Sequence, residues 1–319
     1  MPYNPTPAHV AQYSSNVRIL AEETRALLRQ ICDVKTCHGG MFYGDRLKGS
    51  NTVRRTGRHS PSPYTPVQHD RRRGWLYDDE WGEFLDKQDD QKVLVEYKGK
   101  FVTLCVNAFN RSENQLIIDA LGGAAYSITT PAAASGAEAV TVVNNYDAGE
   151  CRLIASDGTL VTAGSNHSDK TATSLTIAKL ALCGQLFDEA GFTAENGLDL
   201  TRYFISNHYN KWQLLQTTEV KSVDYNTVKA LAEGKIDTFM GFKFLWMEDL
   251  PVDPTETDCI NSYAVVQGAV ALGVAQEVET QVYQRGDYSQ AWYCYGSASK
   301  GATRQEGPGV IEINLKKAA

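Results

Sequence analysis

Between Val93 and Leu121 the chain runs for 29 residues without a proline. Apolar side chains at Phe101, Leu104, Cys105 and Ala108 share one helical face, which Leu116, Ile117 and Leu121 continue. At about 1.5 Å per residue this spacing predicts a rod of about 44 Å, longer than the ~30 Å width of a small domain. Gly99 weakens its first turns and Gly122-Gly123 ends it. The 319 residues provide for about two domains, or one elaborated domain, around such a rod.

Before the rod, residues 1–15 read as a loose arm rich in Pro, Asn and Ser, and Val17–Ile31 as an amphipathic helix with Val17, Leu20, Leu27, Leu28 and Ile31 on its apolar side. Residues 39–66 hold five glycines and three prolines with short extended pieces such as NTVRRT, a composition that suits a projecting two-stranded flap. After the rod, 126–174 reads as short strands with turns, then Leu175–Ala190 as a helix stopped by Gly191. RYFIS predicts a strand, HYNKWQLLQ and VDYNTVKALAEG helices, and FKFLW, SYAVVQGAVALGVA, ETQVYQ, YSQAWYCYGS and VIEINL strands.

Charge is distributed unevenly along the flap. From Asp45 to Trp75 eight basic residues (Arg46, Lys48, Arg54, Arg55, Arg58, Arg71, Arg72, Arg73) face two acids, for a net +6. From Leu76 to Glu96 eight acids (Asp78, Asp79, Glu80, Glu83, Asp86, Asp89, Asp90, Glu96) face two lysines, for a net −6. The whole chain carries −7, which disfavours a sequence-independent nucleic-acid binder. Arg54, Arg55, Arg58 and Arg71–Arg73, with Tyr64 and Trp75 to stack, could touch nucleic acid, but the acids directly behind them repel phosphate within a Debye length of about 8–10 Å. If the flap reaches away from its own body, its cations fit the acids of an identical neighbour. That contact is head-to-tail and closes into rings or propagates.

Catalytic chemistry finds little support. The Cys32, Cys37, His38 spacing matches no zinc pattern, and seven scattered cysteines suit reduced thiols. Ser206 and His208, with Asp224 further on, sit two residues apart and would point away from each other on a helix, so Ser206 reads as an N-cap. The carboxylates of DDEWGEFLDKQDD are read as clustered on a helix, as a solvated or partner-facing surface. No phosphate-binding, dinucleotide or nucleophile-elbow motif occurs. No signal peptide or membrane-spanning run is read, so a soluble, cytoplasm-assembled product is expected.

Three stretches, TPVQHDRRRGWLYDDEWGEFLDKQDD, YFISNHYNKWQLLQTTEVKSVDYNTVKALAEGKIDTFMGFKF and SKGATRQEGPGVIEINL, together resemble the major capsid proteins of tailed bacteriophages, the "phage capsid protein" group with the Hong Kong 97 phage fold. The resemblance runs from about Pro61 to the C-terminus. It implies an α+β fold with an N-terminal arm (1–38), an extended β-loop (39–77), a peripheral domain with a long spine helix (78–199, with 287–319 returning to it) and an axial domain (200–286). It implies a shell protein that self-assembles into hexamers and pentamers of an icosahedral capsid around double-stranded DNA, with no enzyme activity and no cofactor. The extended loop would lie on the next subunit, making Arg54, Arg55, Arg58, Arg71, Arg72, Arg73, Asp78, Asp79, Glu80 and Glu83 the expected inter-subunit contacts. A separate scaffolding protein, a portal protein and packaged DNA are the implied partners; the 126–174 segment, longer than the resemblance suggests, is a longer hairpin, an outward elaboration or a decoration-protein site. An encapsulin-like compartment shell is the alternative, and an α/β hydrolase, lacking its motif, a distant third.

Overall fold

The computed structural model of the chain describes residues 24–47, 49–55, 57–58, 62–65, 67, 69–85, 97–129, 139–143, 150–161, 172–193, 200–216 and 238–317. A 3-10 turn, Leu27–Ile31, leads into β1 (Cys32–Thr36), β2 (Met41–Leu47), β3 (His69–Trp75) and β4 (Tyr77–Leu85). Helix α1 (Tyr97–Gly122) precedes β5 (Ala125–Thr129), β6 (Ala139–Val143), β7 (Arg152–Ile154) and β8 (Leu160–Val161). Then come α2 (Ile177–Glu189), β9 (Arg202–Ser206), α3 (His208–Gln216), β10 (Thr238–Phe239) and β11 (Phe242–Trp246). Strands β12 (Cys259–Val266), β13 (Val270–Arg285), β14 (Ala291–Arg304) and β15 (Val310–Lys316) finish the chain.

These strands form three sheets: β1-β13-β14-β4, the seven-stranded β10-β11-β9-β12-β15-β7-β8, and the flap sheet β2-β3-β5-β6. Helix α1 joins the first two. Its N-terminal half buries Cys105 and Phe109 against Ala298, with Trp81 and Val278 alongside. Gly296 makes that approach possible, since a Cβ there would stand 2.3 Å from Cys105 Sγ. Its C-terminal half puts Ile117, Ile118 and Leu121 into the main core with Phe204, Tyr263 and Val265.

Between those halves the buried face of α1 turns polar. Asn110 Nδ2 donates to Thr24 O (2.9 Å), Asn114 Nδ2 to Arg25 O (3.3 Å), and Leu28 N to Asn114 Oδ1 (3.2 Å). The helix therefore holds the incoming chain by its backbone while Leu28 and Ile31 reach the core. Of the amphipathic helix expected over Val17–Ile31, only residues from Thr24 onward are described, and they contain the 3-10 turn.

The seven-stranded sheet is built on β12, buried at every position, between β9 and β15. Helix α2 covers it with Leu180, Cys183, Leu186 and Phe187; Thr176 accepts from Lys179 N at its start, and Gly191 at φ +89° follows its end. The segment 287–319 divides between sheets. Ala291–Arg304 lies beside β13, whereas Val310–Lys316 pairs antiparallel with β12. The 126–174 segment divides too: β5 and β6 extend the flap sheet, and β7 joins β15. The helix expected at VDYNTVKALAEG lies outside the described residues.

The acidic segment is a correction to the sequence reading. Tyr77–Leu85 is a strand, not a helix, because each of its residues meets one of β14 from Lys300 to Trp292. Nine ladder positions outweigh a helix preference already weakened by Gly82. There a Cβ would lie 2.0 Å from Tyr293 Oη.

Candidate assembly interface

Strands β2 and β3 face each other with Asp45 opposite Arg71 and Arg46 opposite Asp70. Both cross-strand pairs close: Arg71 Nε reaches Asp45 Oδ1 at 2.5 Å, and Arg46 binds Asp70, whose other oxygen accepts from Ser127 Oγ at 2.6 Å. The two acids inside the basic block thus fix the hairpin's register. On its other side Arg71–Arg73 pairs with β5, which makes β3 an interior strand.

Alternation decides where the three arginines go. Arg72 points into the body at 1% exposure and pairs with Glu150, whose second carboxylate oxygen lies 3.9 Å from Arg304 Nε. Burial pulls the Arg72 guanidinium below its ordinary range, opposed by the Glu150 charge. A side chain sealed this way offers little surface to a second copy. Arg71 faces outward but is held by Asp45 and lies 5.2 Å from the Tyr43 ring centroid. Arg73 is 4.6 Å from the Trp75 ring centroid, and Trp75 meets Tyr126 edge-on at 4.3 Å. The run of arginines therefore belongs mainly to the internal electrostatics of its own chain.

The flap tip differs. Arg54, Arg55 and Arg58 are all exposed, as are Val53 and Tyr64 at 61% and 89% exposure. Arg55 Nε donates to Gly57 O at 2.8 Å; no carboxylate meets any of the three among the described residues. In β4 the situation is mirrored. Asp78, Asp79, Glu80 and Glu83 are exposed on the outer strand of its sheet. Asp79 Oδ2 accepts from Ser112 Oγ (2.6 Å) and Glu80 Oε1 from Tyr295 Oη (3.0 Å), neutral donors both. Among the described residues no lysine or arginine pairs with these four carboxylates. Beside them, on the face of Glu80, Phe84 meets Tyr293 and Tyr288 at 4.4 and 4.8 Å between ring centroids. Among the described residues, the chain thus presents an uncompensated cationic hairpin tip and an uncompensated anionic edge strand.

Comparison with known proteins decides the family. The model of the family described as "Phage capsid protein" matches residues 6–317. The chain belongs to that family. Solved phage capsids share its fold: that of cyanophage P-SCSP1u at 16% identity and TM-score 0.68, covering 97% of this chain and 93% of the other. The capsid of cyanophage Pam1 follows at 12% identity and 0.67, covering 97% and 96%. The head of Helicobacter pylori bacteriophage KHP40 matches at 10% identity and 0.67, covering 99% of each. No curated protein matches the chain. The α+β, Hong Kong 97-type assignment stands, and the protein is a major capsid protein, a structural component of an icosahedral virion shell that assembles with its own kind. An encapsulin-like compartment is not favoured, since the matching family is a phage one.

Other features of this capsid protein were not foreseen from sequence. Arg29, Glu113, Glu277 and Lys300 form a charged cluster where the 3-10 turn, α1, β13 and β14 meet, with Glu113 and Lys300 buried and Arg29 and Glu277 at its exposed rim. Lys300 Nζ pairs with Glu113 and lies 3.5 Å from Glu277; Arg29 binds Glu277 and reaches Glu113 at 3.5 Å. The Arg29 bond holds the Glu277 carboxyl below its ordinary range, and Glu277 raises Arg29. A charged residue on the apolar face of α1, Glu113, was the available signal. Lys179, 3% exposed, gives Nζ to Ser156 O, Thr173 O and Asn314 O at 2.9, 3.1 and 3.3 Å. Its desolvation lowers the amine to about 8.

The residues weighed for catalysis do not converge. Asn207, not Ser206, caps α3, its Oδ1 accepting from Asn210 N at 3.0 Å, because Ser206 ends β9 with its hydroxyl 3.0 Å from Ser262 Oγ. His208 Nδ1 lies 2.7 Å from Glu248 Oε1, and Asp224 lies outside the described residues. Cys32 starts β1 and His38 follows Cys37 beyond its end; the described residues contain no group of three metal-ligating side chains.

Proposed function

We propose that copies of this capsid protein join into hexamers and pentamers by resting the flap tip of one copy on the acidic strand of the next. The closed shell encloses double-stranded DNA. One observation carries the reading: Arg54, Arg55 and Arg58 lack an acidic partner on their own chain, and Asp78, Asp79, Glu80 and Glu83 lack a basic one, among the described residues. Single exposed ion pairs contribute only about 0–1 kcal/mol, so charge sets encounter and register while apolar burial under the flap supplies adhesion. Arg71 and Arg73 border this contact without anchoring it.

The arm (1–38), extended loop (39–77), peripheral (78–199) and axial (200–286) parts serve as working divisions, with Val310–Lys316 assigned to the seven-stranded sheet. A separate scaffolding protein, a portal protein, a decoration protein near β6 and packaged DNA complete the partners, with assembly in the host cytoplasm and no catalytic role. Family likeness supports these assignments. The test is charge reversal. Arg54, Arg55 and Arg58 changed together to Glu should stop particle formation in electron micrographs while the circular dichroism of the unassembled chain stays unchanged. Reversing Asp78, Glu80 and Glu83 to Lys in the same chain should restore part of it. Normal shells from the triple variant would refute the contact.

A further inference from the structure

Among the described residues strand β4 has a single sheet neighbour, β14, along its full nine residues. Among the described residues its outward amides and carbonyls have no partner. Such an edge is a template for another chain, and charged side chains are a common means of guarding it. Here the guards all carry one sign and occupy both faces: Asp78 and Glu80 on the face of Tyr295, Asp79 and Glu83 on the face of α1. An edge defended in this way excludes most strands and admits a cationic one.

The flap tip contains a segment that fits. Residues 51–55, Asn-Thr-Val-Arg-Arg, are exposed throughout, take part in no ladder, hold no acid and include two β-branched residues. Consecutive arginines in an extended segment point to opposite faces, so pairing both requires acids on both faces of the receiving strand. A flat acidic patch would satisfy only one of them. We infer that Asn51–Arg55 of one copy adds as a further strand to the open edge of β4 in a second copy, with Arg54 and Arg55 gripping the acids on either face. The inference rests on the flap contact proposed above and states its form: a backbone ladder with side-chain selection, the mode of β-strand addition.

Adjacent proline substitutions test it in the full-length chain. In a strand bonded along one edge, alternate amides face the partner, so only one of Thr52→Pro and Val53→Pro removes a ladder bond. That variant should require about fivefold more protein to assemble, and its neighbour should behave as wild type. Amides of Tyr77–Leu85 that exchange freely in the unassembled chain should gain hydrogen-exchange protection in particles. Two proline variants that assemble normally while Arg54→Glu/Arg55→Glu fails would overturn strand addition and leave the charge contact standing. Equal loss in both proline variants, or no change in protection along β4, would also overturn it. Normal assembly of all the variants would remove both ideas.

Discussion

Lys179 offers a quantitative probe of the core of the seven-stranded layer. Its ammonium is 3% exposed and donates to three backbone carbonyls, of which Ser156 O and Thr173 O have further donors at Thr173 N (3.2 Å) and Lys316 N (3.1 Å). Burial brings the amine from 10.5 in the unfolded chain to about 8 in the folded one. Between these values the unfolded chain binds the extra proton, so stability rises with pH across that window. Below about 8 both states are protonated and the folded state carries the full desolvation cost. A shift of this size, at ~1.36 kcal/mol per pH unit, amounts to about 3 kcal/mol. Lys179→Met keeps the length of the side chain and removes the titration. Urea unfolding of unassembled wild type and variant at several pH values from 7 to about 10.5 should show wild type gaining ~3 kcal/mol on the variant as pH rises. Taking the difference cancels the thiols and tyrosines that also titrate there. A flat difference would refute the reasoning, because the three carbonyls would then hold the charge well enough to offset burial.

Glu113→Ala should lower unfolding free energy by up to about 3 kcal/mol, measured by urea denaturation, because Lys300 loses its buried partner and keeps only the exposed Glu277 at 3.5 Å; the double change Glu113→Leu/Lys300→Met should lose much less. Gly301→Ala should abolish soluble folded protein, since its Cβ would stand 1.9 Å from the Trp75 carbonyl oxygen, with backbone on both sides of the clash. Gly184→Ala on α2, where nothing lies within 4 Å, should raise the melting temperature through a gain of about 0.5–1 kcal/mol.

Much of this architecture was legible from residue patterns. The long helix showed as a proline-free apolar stripe closed by Gly122-Gly123, and α2 ended where Gly191 takes a positive φ. FKFLW and VIEINL became strands as their composition suggested, because short apolar runs bounded by turns have few other stable outcomes. The acidic stretch was misread because local pattern says nothing about β14, more than two hundred residues away, whose ladder turns it into a strand. Residue type could not separate Arg72 from Arg54 either.

The contrast between those two arginines marks the division. Sequence alone determined that cations and anions are segregated along the flap, that a rod crosses the fold, and that the chain has the make-up of a shell protein. Only the tertiary structure decided which charges are spent internally. Strand alternation turns Arg72 toward Glu150, cross-strand register gives Arg71 to Asp45, and β4 at a sheet edge leaves its four carboxylates without a cation among the described residues. The reason is that pairing depends on distance in space, and a strand's partners and facing are set by which other strands the whole chain brings beside it.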